Sequence, residues 1–120
     1  MKLPPIYSET YHFTLHLFKR TGNIPKPYRP TLCRKMESAA LELVVLLRQC
    51  LLTTASAANL NQLIARVDEL KVLTQLSYDL KFFSHADFGE ISTSLVKIGK
   101  MLGGLHKYEQ QKIVAAYPEC

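Results

Sequence analysis

The chain has 120 residues, 48% of them apolar, with no tryptophan and only five glycines. That is the length of one ordinary domain with a real core and too short for two. Fifteen Lys and Arg against ten Asp and Glu leave a formal charge of +5, an excess that favours polyanionic partners such as nucleic acid. The longest apolar run, LELVVLLRQCLL, is broken by Glu42 and Arg48 and falls short of the ~20 residues a bilayer requires. The opening MKLPPIYSET has neither an apolar leader nor a lipidation signal, so a cytoplasmic protein with no membrane partner is expected.

Leu, Ala, Lys, Glu and Ser run for long stretches without a breaker, so the fold expected is all-α. A first helix is predicted over about 8–21, with Ser8 as its cap, Tyr7, Tyr11, Leu15 and Phe18 as its apolar stripe, and Lys19 and Arg20 favoured in its last turn before Gly22. NIPKPYRP follows as a semi-rigid connector whose prolines bias their neighbours towards extended backbone. A second helix over 31–54 keeps a seam of Leu32, Met36, Ala39, Leu43, Leu46, Cys50 and Thr53. Leu41, Val44, Val45, Leu47, Leu51 and Leu52 lie outside that seam, so this helix is either central or also an intersubunit surface.

The third helix, over 59–82, carries a thinner stripe through Leu63, Val67, Leu70, Leu73, Ser77 and Leu80. The fourth, over 85–107, is the best marked. Ser84 and Asp87 stand in capping-box positions, Phe83 and Phe88 as a hydrophobic staple, and Phe88, Ile91, Leu95, Ile98, Leu102 and Leu105 form a heptad stripe. Residues 108–120 either extend this helix or form a tail. Four helices with short connections predict one antiparallel up-down four-helix bundle over 1–120. Gly99 and Gly103 interrupt the last helix, each costing about 1 kcal/mol relative to alanine, and lie on the flank of its stripe where the missing side chains would admit a close neighbour.

DELKVLTQLSYDLKFFS, a final helix ending IGKMLGGL, and IPKPYR before the second helix resemble the accessory proteins of diversity-generating retroelements, usually called Avd. More distantly they resemble the four-helix-bundle proteins of ribosomal-RNA intervening sequences. The resemblance spans roughly 11–107. It implies a non-catalytic, basic four-helix bundle, assembled as a ring-like homopentamer, that binds the retroelement's reverse transcriptase and nucleic acid to support complementary-DNA synthesis in mutagenic retrohoming. The chain departs from the family pattern at Leu105, where an aromatic is frequent, and in the third helix, which keeps chiefly Arg66 and Lys71 of a richer basic set. It lacks the small-residue segment usual in the second helix of the intervening-sequence relatives. An interaction bundle of that second type, without a polymerase partner, is the alternative reading.

No catalytic or cofactor constellation stands beside this. His12 and His16 are four apart, but no Glu follows His12 and no third ligand is near, so they read as solvated or packed histidines. Cys33 and Cys50 would lie about 25 Å apart along one helix, beyond disulfide reach, and read as reduced core thiols, with Cys120 a free thiol in the tail. Gly103 and Gly104 close a helix where a phosphate loop would have to open one. Asp68 and Glu69 read as surface partners of Lys71.

The candidate residues for nucleic acid or a protein partner are therefore basic: Lys26, Arg29, Arg34 and Lys35 around the connector, Arg48, Arg66 and Lys71, and Lys97, Lys100 and Lys107 opposite the last heptad stripe. With no aromatic-lined groove in the sequence, their contacts are expected mainly on phosphates. Leu41 and Val45, flanked by Arg34 and Arg48 on one side of the second helix, and Gly99 and Gly103 are the candidates for oligomer contact.

Overall fold

Two prolines begin the first helix, α1, Pro5–Thr21: Pro4 takes the cap position and Pro5 the first turn, where a missing N–H costs nothing. The expected cap, Ser8, is therefore already inside the helix. In the computed structural model, residues 3–53 and 57–116 are described, with side chains over 3–53 and 58–105. They form α1, α2 (Arg34–Leu52), α3 (Ala57–Asp79) and α4 (His85–Ala116), with no strand among them.

The Pro-rich connector is helical where an extended segment was expected. A 3-10 turn, Lys26–Tyr28, leads into a π-helical turn, Arg29–Cys33, that runs directly into α2. Only Pro25 keeps the extended ψ of 145°. Pro27 and Pro30 each fall in the first turn of a short helical piece, the place where proline's fixed φ suits a helix and its absent donor has no partner to lose. The connector is fastened from within by Arg29, whose guanidinium donates to the carbonyls of Ile24 (3.2 Å) and Gly22 (3.4 Å).

α3 ends three residues before the expected boundary, in a Schellman arrangement. Phe82 N–H donates to the Ser77 carbonyl (2.8 Å) and Lys81 N–H to Tyr78 (2.9 Å), with Lys81 in the left-handed region at φ 65°. Glycine is the usual residue there, and with lysine in its place the residue order carries no stop signal. At the start of α4, Asp87 N–H donates to Ser84 Oγ (3.0 Å), the predicted cap. The Asp87 carboxylate does not close the capping box on Ser84; Arg20 of α1 holds it at 2.9 Å. Phe88, the expected staple partner of Phe83, stacks on Tyr78 with centroids 4.3 Å apart. The backbone of α4 continues through the open segment to Ala116.

Each helix packs against its two neighbours, α1 on α2 and α4, and α3 on α2 and α4, making a four-helix bundle. Contacts run in opposite order along neighbouring pairs. Thr21 bonds Glu37 while Tyr7 lies under Arg48, and Lys35 meets Glu69 while Glu42 meets Arg66. Met36, Leu43, Leu47, Leu63, Leu70, Leu95, Ile98 and Leu102 fill the interior, each with under 2% of its surface exposed. Burial on that scale contributes about 1.5–3 kcal/mol per side chain before the entropy of ordering is counted.

The stripes of α2, α3 and α4 are largely those expected, with small shifts: Leu47 is buried and Leu46 half-buried, Thr74 joins the α3 face, and Leu80 is exposed. α1 is different. Its buried residues are Ile6, Thr10, Phe13, Thr14, Leu17 and Thr21, whereas Tyr11, Leu15 and Phe18, the expected core stripe, are exposed. Thr14 is made buriable by donating its hydroxyl to the Thr10 carbonyl (2.9 Å).

Candidate nucleic-acid and partner interface

The basic residues singled out in the sequence divide into those whose charge is already satisfied and those left open. Lys35 Nζ lies 3.4 Å from Glu69, and Arg66 lies 3.0 Å from Glu42 and 3.5 Å from Glu69, so both serve the α2–α3 seam. Glu69 is thus drawn to α2 and is not the expected partner of Lys71. Lys97 reaches Glu9 of α1 at 3.3 Å. Arg48 places its guanidinium 5.8 Å from the centre of the Tyr7 ring, a cation–π contact. Lys26, Arg34, Lys71 and Lys100 are exposed and form no ion pair among the described residues. The side chain of Lys107 lies outside the described ones, as does Cys120.

Lys97 and Lys100, the lysines of α4 whose side chains are described, do not share one outer face. Lys97 turns towards α1, whereas Lys100 turns to the other side and lines a groove between α3 and α4 with Lys71. Ile64, Val67, Val96, Gly99 and Gly103 form much of that groove, whose volume is about 300 Å³. A Cβ on Gly103 would meet nothing within 4 Å, and one on Gly99 would meet only Val67 and the Lys71 amine at 3.9 Å. The glycines therefore do not admit a neighbouring backbone of the same chain. They leave a shallow floor open to solvent between two uncompensated ammonium groups.

A second exposed surface lies on the far side of the bundle. Leu41 and Val45 are 48% and 53% exposed on the outer face of α2, with Arg34 and Arg48 on that same face. Tyr11, Leu15 and Phe18 of α1 lie on the side of their helix that turns towards α2, as the Tyr7–Arg48 contact places it. Apolar area rimmed by arginine is the pattern of a protein contact surface.

Sequence reasoning missed Arg20. It binds Asp87 and Glu90 (3.3 Å) together and, with His16 3.9 Å from Glu90, fixes α1 to α4. Its place in the last helical turn accounted for its charge, and nothing local pointed to carboxylates 67 and 70 positions away. Cys50 is buried and Cys33 half-buried, both unpaired. Burial pushes both thiols above their ordinary value, Glu37 adding to the effect at Cys33 against a hydrogen bond with Thr21. Neither is in the electropositive, exposed setting that makes a nucleophile. Among the described residues no group of three or more His, Cys, Asp or Glu is placed to hold a metal ion, and no helix is long and apolar enough to cross a membrane. Comparison with known proteins finds no matching family model, no similar curated protein and no similar solved structure.

Proposed function

We propose that the chain is a non-catalytic accessory protein of a diversity-generating retroelement, a cytoplasmic homo-oligomeric bundle that binds the reverse transcriptase and nucleic acid during complementary-DNA synthesis. The observation that carries the reading is the α3–α4 groove. Two of the three segments that resemble the Avd proteins, 68–84 and 98–105, lie on helices that pack together, and Lys71 and Lys100, which form no ion pair among the described residues, line the groove with Gly99. An ammonium pair over a glycine floor, with Asp68 the one carboxylate lining it, suits a phosphate backbone passing close to the helices. The arginine-rimmed apolar face of α1 and α2 is the surface offered to further copies of the chain or to the polymerase, with five copies expected from the resemblance.

Salt titration tests the nucleic-acid half. With two RNAs of unrelated sequence, log K should fall with log salt by ~0.7 to 0.9 per phosphate contact. Replacing Lys71 and Lys100 together by alanine should weaken both RNAs alike and flatten that slope, with helicity unchanged. Binding that ignores salt, or none at low salt by an intact oligomer, leaves an interaction bundle without a nucleic-acid partner. Light scattering at micromolar concentration that returns the 13.6 kDa monomer mass removes the oligomer.

A further inference from the structure

The α1–α2 connector and the α3–α4 loop are distant in sequence but meet at one end of the bundle, where Tyr28 packs on Phe82 with ring centroids 4.9 Å apart at 43°. This lies in the range of a favourable aromatic pair. Phe82 is half-buried and backs the pair, and Tyr28 is 47% exposed. The backbone on both sides of the contact is fastened. Tyr28 N–H donates to the Pro25 carbonyl (2.9 Å), the Tyr28 carbonyl accepts from Thr31 Oγ1 (3.3 Å), and Phe82 N–H is held by Ser77.

The same end is cationic. Lys26 begins the 3-10 turn that carries Tyr28, Arg29 follows it, and Lys81, in its left-handed conformation, precedes Phe82; all three are exposed. None forms an ion pair among the described residues. Asp79 accepts from the Gln75 amide, Asp87 and Glu90 bind Arg20, and Glu37 accepts from Thr21.

We infer that this end of the bundle is a binding site for single-stranded nucleic acid, in which an unpaired base stacks on Tyr28 and Lys26 and Lys81 hold the flanking phosphates, while Arg29, donating to the Ile24 and Gly22 carbonyls, fastens the connector that carries the ring. An exposed ring backed by a second aromatic, among cations that form no ion pair, is the kind of arrangement by which single strands are held irrespective of sequence, since every base has a π-face. A duplex keeps its base faces stacked inside the helix and cannot use the ring. The inference rests on the reading that the chain binds nucleic acid, and it adds to the phosphate contacts of the α3–α4 groove a selectivity for unpaired strands.

The chain contains no tryptophan, so Tyr28→Trp places a single fluorophore at the proposed stacking position. Titration with a single-stranded RNA oligomer should quench its emission with the midpoint given by anisotropy of the labelled oligomer, and a fully paired duplex of two complementary strands of the same length should quench it little. Tyr28→Ala should weaken single-strand binding roughly 10-fold or more while leaving the salt slope and the duplex affinity unchanged. Tyr28→Phe should bind as the parent does, which separates stacking from the hydroxyl. Replacing Lys26 and Lys81 by alanine should flatten the salt slope by about two contacts. Binding by anisotropy with unaltered tryptophan emission, or equal loss of single-strand and duplex affinity in Tyr28→Ala, overturns the platform and leaves the phosphate-binding reading standing. If neither RNA binds at low salt, both fail. Circular dichroism of each variant shows whether the fold is retained, and the emission of Tyr28→Trp still decides if Tyr28→Ala unfolds.

Discussion

α4 and α1 lie side by side across the Arg20–Asp87 and Lys97–Glu9 pairs, yet they place their apolar residues in opposite ways. α4 buries Ile91, Leu95, Ile98 and Leu102 and leaves Lys97 and Lys100 exposed. α1 buries three threonines among Ile6, Phe13 and Leu17 and leaves Tyr11, Leu15 and Phe18 39–46% exposed. A helix with one apolar stripe has a single way to face a core. α1 has two candidate faces, and the one that mixes threonines with Ile6, Phe13 and Leu17 is inside. The difference shows that an apolar stripe at helical spacing marks a surface that seeks cover, and that cover need not come from its own chain.

The largest expected effect tests the buried side of this contrast. Leu95→Ala should lower unfolding stability by about 3 kcal/mol, since a leucine with no exposed surface leaves a cavity that rigid neighbours fill only in part. Leu15→Ala should change it by less than about 0.5 kcal/mol at concentrations where the chain is monomeric. Urea denaturation of both variants gives the comparison. A loss at Leu15 as large as that at Leu95 would mean that the outer face of α1 is already covered in the folded protein, and the two helices would not differ.

A smaller effect sharpens the contrast within α1. Thr10 is fully buried and its hydroxyl has no partner among the described residues, so Thr10→Val should be neutral or stabilise by about 1 kcal/mol. Thr14→Val removes a hydroxyl that is bonded, and should cost about 1 kcal/mol instead. Opposite signs in two thermal melts would show that the polar content of this face is tolerated at one site and used at the other. The same sign at both would remove the distinction.

The smallest effect concerns the side of α4 that faces the groove. Gly103→Ala should raise stability by about 0.8 kcal/mol, because the added methyl meets no atom and alanine is the better helix former. If the melt rises as expected but oligomer mass or RNA affinity falls, the glycine serves a neighbour outside the chain. A fall in monomer stability would instead show a contact within it.

Much of the fold was legible from residue order. The α4 stripe, its Ser84 cap, the seam of α2 and the exposure of Leu41 and Val45 follow from spacing and capping chemistry acting within a few residues. The site was less so. Arg34, Lys71 and Lys100 were chosen as cations, but which charges remain open depends on carboxylates that other helices bring alongside, as Glu9 is brought to Lys97 and Glu69 to Lys35.

By itself the sequence determined that this is an all-helical chain with four helices, a basic surface and more apolar area than one core needs, because hydrophobic periodicity, capping and composition are local quantities. Only the tertiary structure decided which face of α1 is inside, because two stripes competed and burial depends on what the neighbours present. It also decided that the Pro-rich connector coils, since its prolines fall in first turns, and that Lys81 adopts a conformation usual for glycine, since the Phe82 and Ser77 backbone groups close around it. The meeting of Tyr28 with Phe82, 54 positions apart, was legible in neither segment alone. Bundle topology puts the first and third connections at the same end, and the aromatic pair is a product of that closure.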